Sequence, residues 1–137
     1  LDAADLALEM NETNLLALRS LLNSPELGLR YWGIVGCFLL NDRQSALKCL
    51  KDDSHEVRAM AGWLLLRSGD KKVGLQCLEQ LLKENSYATL SVLNIMDWAE
   101  DDAKPLLPTI QALKLKNYEE KMQLQLLAKH EHKGAGF

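Results

Sequence analysis

Two stretches of this chain are related by a simple translation. Leu22 to Cys37 reads LNSPELGLRYWGIVGC and Leu50 to Leu65 reads LKDDSHEVRAMAGWLL. Laid together without a gap at an offset of 28, Leu22 falls on Leu50, Leu29-Arg30 on Val57-Arg58 and Gly33 on Ala61. Upstream, Ala46-Leu47-Lys48-Cys49-Leu50 matches Gly74-Leu75-Gln76-Cys77-Leu78 at the same offset, and a shift of 32 brings Leu82-Lys83-Glu84-Asn85-Ser86 onto Leu50-Lys51-Asp52-Asp53-Ser54. Four extra residues are about one helical turn, so the later helix lengthens without rotating its buried face. A strand register would not tolerate this. A period of about 20–50 residues points to stacked supersecondary units, none of which can bury its apolar face alone.

The periodicity within each unit is helical. Apolar or small residues fall at Leu29, Trp32, Gly33, Gly36, Cys37 and Leu40 in the first unit, and at Val57, Met60, Ala61, Leu64 and Leu65 in the second. Thr89, Val92, Leu93 and Met96 continue the series in the third until Asp97. All step by three and four. Gly33, Gly36 and Ala61 let neighbouring helices approach closely. Asn23-Ser24-Pro25, Asp52-Asp53-Ser54 and Asn85-Ser86 supply N-cap chemistry before each second helix. Asn41-Asp42 and Ser68-Gly69-Asp70 end the second helices, Gly69 suiting a left-handed cap. Pro105 and Pro108 belong near a helix start. The expected fold is all-α, an α-α superhelix of about four helix pairs in one domain spanning 1–137. A lead-in helix covers 2–11. Pairs follow at 13–23 with 26–40, 43–51 with 54–68, 71–84 with 86–100, and 103–116 with 117–130. The last pair is the most polar, as the end of a stack requires, and 131–137 is a tail.

Composition narrows the function classes. With 137 residues, 47% hydrophobic and 26% charged, the chain is neither disordered nor membrane-spanning, and a formal charge of −3 argues against a dedicated nucleic-acid binder. Lys48, Lys51 and Arg58 gather near one turn and Lys71-Lys72 near another, but Asp52, Asp53, Glu56 and Asp70 neutralise them. Cys37, Cys49 and Cys77 are odd in number, lie in apolar helical patterns and read as buried thiols. His130-Glu131-His132 places two histidines off a common helical face with no third ligand. No catalytic, cofactor or metal motif stands in the sequence. Beginning at Leu1, the chain reads as a piece of something longer.

The residues that could recognise a partner are few. Trp32 lies on the inferred buried face; Trp63 is offset from it and Trp98 sits near a helix end, which makes these two the candidates for surface contact. Asn94 and Asp97 stand where other units carry apolar residues, placing them against the next repeat or a neighbouring domain. Arg58 completes the candidate interaction set with Trp63, Trp98 and Asp97.

A second helix opening with an acidic or Ser residue, then Val-Arg, then Ala and Leu, as at Asp52 to Leu65, resembles the HEAT repeat. The resemblance implies a ladder between repeats, built from an aspartate before the second helix and an arginine inside it. Asp52 and Arg58 have its spacing; Ser24 with Arg30 lacks the acid, and Leu90 replaces the arginine in the third unit. More narrowly, Leu29 to Gly36 (LRYWGIVG) and Leu90 to Asp97 (LSVLNIMD) resemble elements of HEAT-like regions behind bacterial sulfatase domains, over most of residues 3–130. That resemblance implies a non-catalytic C-terminal accessory domain, periplasmic or secreted. It would stabilise its upstream catalytic domain, shape access to the active site, or pair with another protein or a second copy of itself. The sulfatase C/S-x-P-x-R motif is absent from this segment, so no catalytic residue transfers. Rival expectations are a free-standing protein-binding scaffold and a HEAT-type enzyme such as a DNA glycosylase or bilin lyase.

Overall fold

The computed structural model describes residues 2–84, 92, 94, 95, 98–113 and 122. Every regular element among them is helical: α1 (Ala3–Leu8), α2 (Leu15–Leu21), α3 (Leu27–Leu39), α4 (Arg43–Lys48), α5 (His55–Arg67) and α6 (Lys71–Glu84), with 3-10 segments at Glu12–Asn14 and Glu100–Leu106. The chain divides into two compact units, Leu1–Leu106 and Leu107–Phe137. In the second unit the described residues 107–113 are helical. Apart from residue 122, the expected helix 117–130 and the His130-Glu131-His132 tail lie outside the described residues.

Local chemistry sets the helix ends. Asp2 caps α1 by accepting from the Asp5 N–H at 2.8 Å, and Ser54 caps α5 by accepting from the Val57 N–H at 3.3 Å. Helix α3 begins at Leu27 behind Glu26, whose side chain makes no cap; Ser24, within the expected cap Asn23-Ser24-Pro25, accepts from the Glu26 N–H and so closes a turn ahead of the helix instead of capping it. Asn41 (φ 57°) and Gly69 (φ 96°), 28 residues apart, both turn the chain left-handed after a second helix. The following Asp42 and Asp70 N–H groups donate back to Cys37 O and Leu65 O, closing the same C-terminal motif twice. The expected helix start at residue 103 is displaced to 107, because Pro105 lies inside the 3-10 segment and its ring disfavours α geometry at Lys104. Pro108 then falls in the first helical turn, where its missing N–H is harmless.

Helix α3 is the hub, packing against α1, α2, α4 and α5. Being covered on several sides, it buries Ile34 and Phe38 as well as the expected Gly33, Gly36 and Cys37, while Leu29, Trp32 and Leu40 are only half-buried. Val57, Ala61, Leu64 and Leu65 of α5 form the neighbouring core layer with Leu18 and Ile34. A Cβ on Gly36 would stand 2.5 Å from the Leu18 side chain, so α2 approaches α3 through that gap. Helices α5 and α6 close more tightly still: a Cβ on Gly74 would meet Gly62 O and Leu66 N, both backbone, at 2.7 Å.

Arginines link successive hairpins at two edges. At one, Arg19 makes a bidentate pair with Asp42 (2.8 and 2.9 Å), and Arg43 reaches Asp70. At the other, Arg30 pairs with Asp52 (3.0 and 3.3 Å) and Arg58 with Glu84 (2.7 Å). Asp52 and Arg58, the expected members of a ladder between repeats, each pair with a neighbouring unit: Asp52 with Arg30 of the preceding one and Arg58 with Glu84 of the next. Side chains near a helix start lean toward the N-terminus, which carries Arg30 past Ser24 O and Pro25 O to the next loop. There Asp52 is held in place by the Ser54 N–H.

These contacts make two predictions. Gly74→Ala destabilises the fold by about 1–3 kcal/mol through overpacking against backbone. Gly28→Ala, in open space on α3, stabilises it by about 0.5–1 kcal/mol; urea unfolding of both variants checks the contrast. Asp42 is buried and also accepts from the Ser45 hydroxyl, and the Arg19 guanidinium holds its carboxyl below the usual range. Asp42→Asn therefore costs about 1–3 kcal/mol at neutral pH. The difference from the parent chain persists down to the unfolded carboxyl pKa of about 3.9 and vanishes as pH falls through the lower folded value. Denaturant titrations between pH 7 and pH 3 follow it.

Candidate interaction site

The described surface carries one aromatic ledge. Trp63 of α5, half-buried, lies with its ring centroid 4.3 Å from that of Phe38 on α3 and 6.2 Å from that of Trp98. Trp98 is 74% exposed. One helical turn on from Trp63, the Arg67 guanidinium sits over the Phe38 ring at 4.8 Å from its centroid. The two indoles line a recess of about 550 Å³ with Phe38, Leu39, Arg67 and Asp102. The same indoles also line a smaller recess of about 190 Å³ with Tyr31, Glu56, Met60 and Asn94. Asp102 is occupied by Lys71 Nζ at 2.8 Å, whereas Arg67 has no ion pair among the described residues.

Of the four interaction candidates, the structure brings Trp63 and Trp98 together. Arg58 stands elsewhere, on a separate recess of about 250 Å³ with Leu50, Cys77 and Gln80, where its Nε is buried without a partner. Asp97 lies outside the described residues. Asn94 is exposed and borders the smaller recess. Trp32 packs half-buried against the core, stacked on Tyr31 with centroids 5.8 Å apart. Sequence reading missed Phe38, Arg67 and Asp102. The four-residue step from Trp63 to Arg67 placed them on one helical face, a signal available without coordinates; the approach of Phe38 from another helix was not.

The three thiols are suppressed by burial. Burial pushes the Cys37 thiol up to about 11, Cys49 to about 12 and Cys77 to about 11. Cys77 donates to Arg58 O at 3.3 Å. No group of three or more His, Cys, Asp or Glu able to hold a metal occurs among the described residues, and no described helix is long and apolar enough to cross a membrane. Native protein at pH 8 will accordingly react with a thiol reagent at least about 100-fold slower than free cysteine. Half-buried Cys77 will react first, and urea will release all three thiols. Absorbance of the released chromophore counts them.

Comparison with known protein families, with curated proteins and with solved structures returns no match to this chain.

Proposed function

We propose that this chain is a non-catalytic helical-repeat module, a HEAT-like α-α superhelix, serving as the C-terminal accessory domain of a bacterial sulfatase. The observation that carries the repeat reading is the recurrence of inter-hairpin pairs, matched in both partners at the Arg30 and Arg58 edge and in the acid at the other, where Arg19 and Arg43 stand 24 residues apart. Arg30 and Arg58, 28 residues apart, each reach an acidic residue of the following unit, and Asp42 and Asp70, also 28 apart, each receive an arginine from before them. A translational stack needs such like-for-like contacts; a closed bundle has no reason to repeat them. The sulfatase attachment rests on the LRYWGIVG and LSVLNIMD elements. The first of these forms most of α3, where Arg30, Gly33 and Gly36 each make an inter-helix contact. The second reading, a free-standing protein-binding scaffold, is favoured by the exposed Trp98 and by Arg67, which has no ion pair among the described residues.

An internal deletion tests the stack. Removing residues 43–70 joins Asp42 to Lys71 in the register of the repeat, and the shortened chain should keep its helical spectrum and cooperative unfolding at reduced stability. Collapse to a random coil would refute the translational reading. Turnover of an aryl sulfate or an N-sulfated glucosamine by the purified chain would refute the non-catalytic one. The open reading frame around this segment decides between accessory domain and scaffold: an upstream in-frame sulfatase domain supports the first.

A further inference from the structure

The larger recess has an unusual polar inventory. Among the described residues its wall includes no Ser, Thr, Asn, Gln, Tyr or His, and the polar side chains besides the indoles are Arg67 and Asp102. Lys71 compensates Asp102, so the charge left over is that of Arg67. Arg67 lies over Phe38 at 4.8 Å, and its N–H donors make no ion pair or hydrogen bond among the described residues, which leaves them available to a carboxylate. The site is thus an apolar floor of three rings with one positive edge, in a volume within the usual range for ligand pockets, about 300–1,000 Å³.

That chemistry selects among ligands. Sugar hydroxyls would go largely unpaired against such a wall, which costs binding. A cation meets Arg67. A polyanion meets the chain's formal charge of −3, with Glu56 lining the recess across the indoles. A group with an apolar body and a single carboxylate suits the wall. The second recess is lined by the same Trp63–Trp98 pair, so a ligand that fills both carries two apolar groups joined across the indoles; an extended segment presents such groups two residues apart, at about 7 Å.

Within the interaction-module reading on which it rests, we propose that the Trp63–Trp98 ledge binds an extended segment of a partner protein. That segment places two bulky apolar side chains astride the indoles and a flanking carboxylate on Arg67. The test uses the full chain and the end-blocked peptide Gly-Leu-Ser-Phe-Glu-Gly, followed through the three indole N–H resonances. Trp63 and Trp98 should shift while Trp32, which lines neither recess, stays in place. Replacing the peptide's Glu by Gln, or making Arg67→Gln, should each weaken binding about tenfold as a charge-assisted pair is lost, and both changes together should cost little more than either. Trp98→Ala should abolish binding. Both altered residues are exposed, and far-UV circular dichroism confirms their variants fold. Silent indoles at millimolar peptide, or binding indifferent to both Glu→Gln and Arg67→Gln, overturns the proposal. So does a response to glucuronate or an oligonucleotide without one to the peptide. Silent indoles would leave the non-catalytic reading intact, and sulfate-ester turnover would sink that reading while leaving the ledge standing.

Discussion

A helical hairpin of this size cannot cover its own apolar faces, so the phase between one hairpin and the next decides whether a core exists. Four arginine–carboxylate pairs hold that phase, two at each edge. They are unequal in energy. Arg43–Asp70 is largely solvated, and such pairs contribute about 0–1 kcal/mol. Asp42, enclosed by Arg19 and Ser45, is the pair whose loss would strand a buried charge. Stability comes mainly from apolar burial across α3 and α5, on the order of 25 cal/mol per Å². The ion pairs contribute orientation: each selects the neighbour and the depth at which the apolar layers meet.

Close approach is the second constraint, and it operates without charge. Gly74 lies against the backbone of α5, and Gly36 accepts the Leu18 side chain where a Cβ would stand. Tight contact on those sides sends the bulkier residues elsewhere. Phe38 is drawn into the interior and Trp63 tilts onto it; Trp98 then extends the aromatic row outward into solvent. The ledge is therefore a consequence of how the hairpins pack. Arg67 completes it because it follows Trp63 by one turn on a helix whose other sides are occupied.

The three thiols illustrate the complementary point. Each is held well above the range in which it would ionise at neutral pH, because its surroundings are apolar and close-packed. Trp63, Trp98 and Arg67 gather at one exposed place, and the proposed contact role rests on that cluster. That is the common ground between an accessory domain and a free-standing scaffold.

Much of the architecture was legible before any coordinates. The 28-residue translation located α3, α4, α5 and α6 to within a few residues, since helical period and cap chemistry are local properties; Asn41 and Gly69 announced their turns through side-chain preference alone. Which arginine meets Asp52 was not legible, because spacing along the chain cannot distinguish a partner in the same unit from one in the unit before. Nor was the displaced helix start behind Pro105. The recognition candidates divided in the same way. Trp63 and Trp98 could be nominated from their helical phase, whereas Phe38 and Asp102 joined them only once separate elements met in space. Sequence thus determined the elements and their repetition, through short-range sterics and hydrogen bonding. Tertiary structure decided which charges pair and which rings converge, because both depend on distances between atoms far apart in the chain.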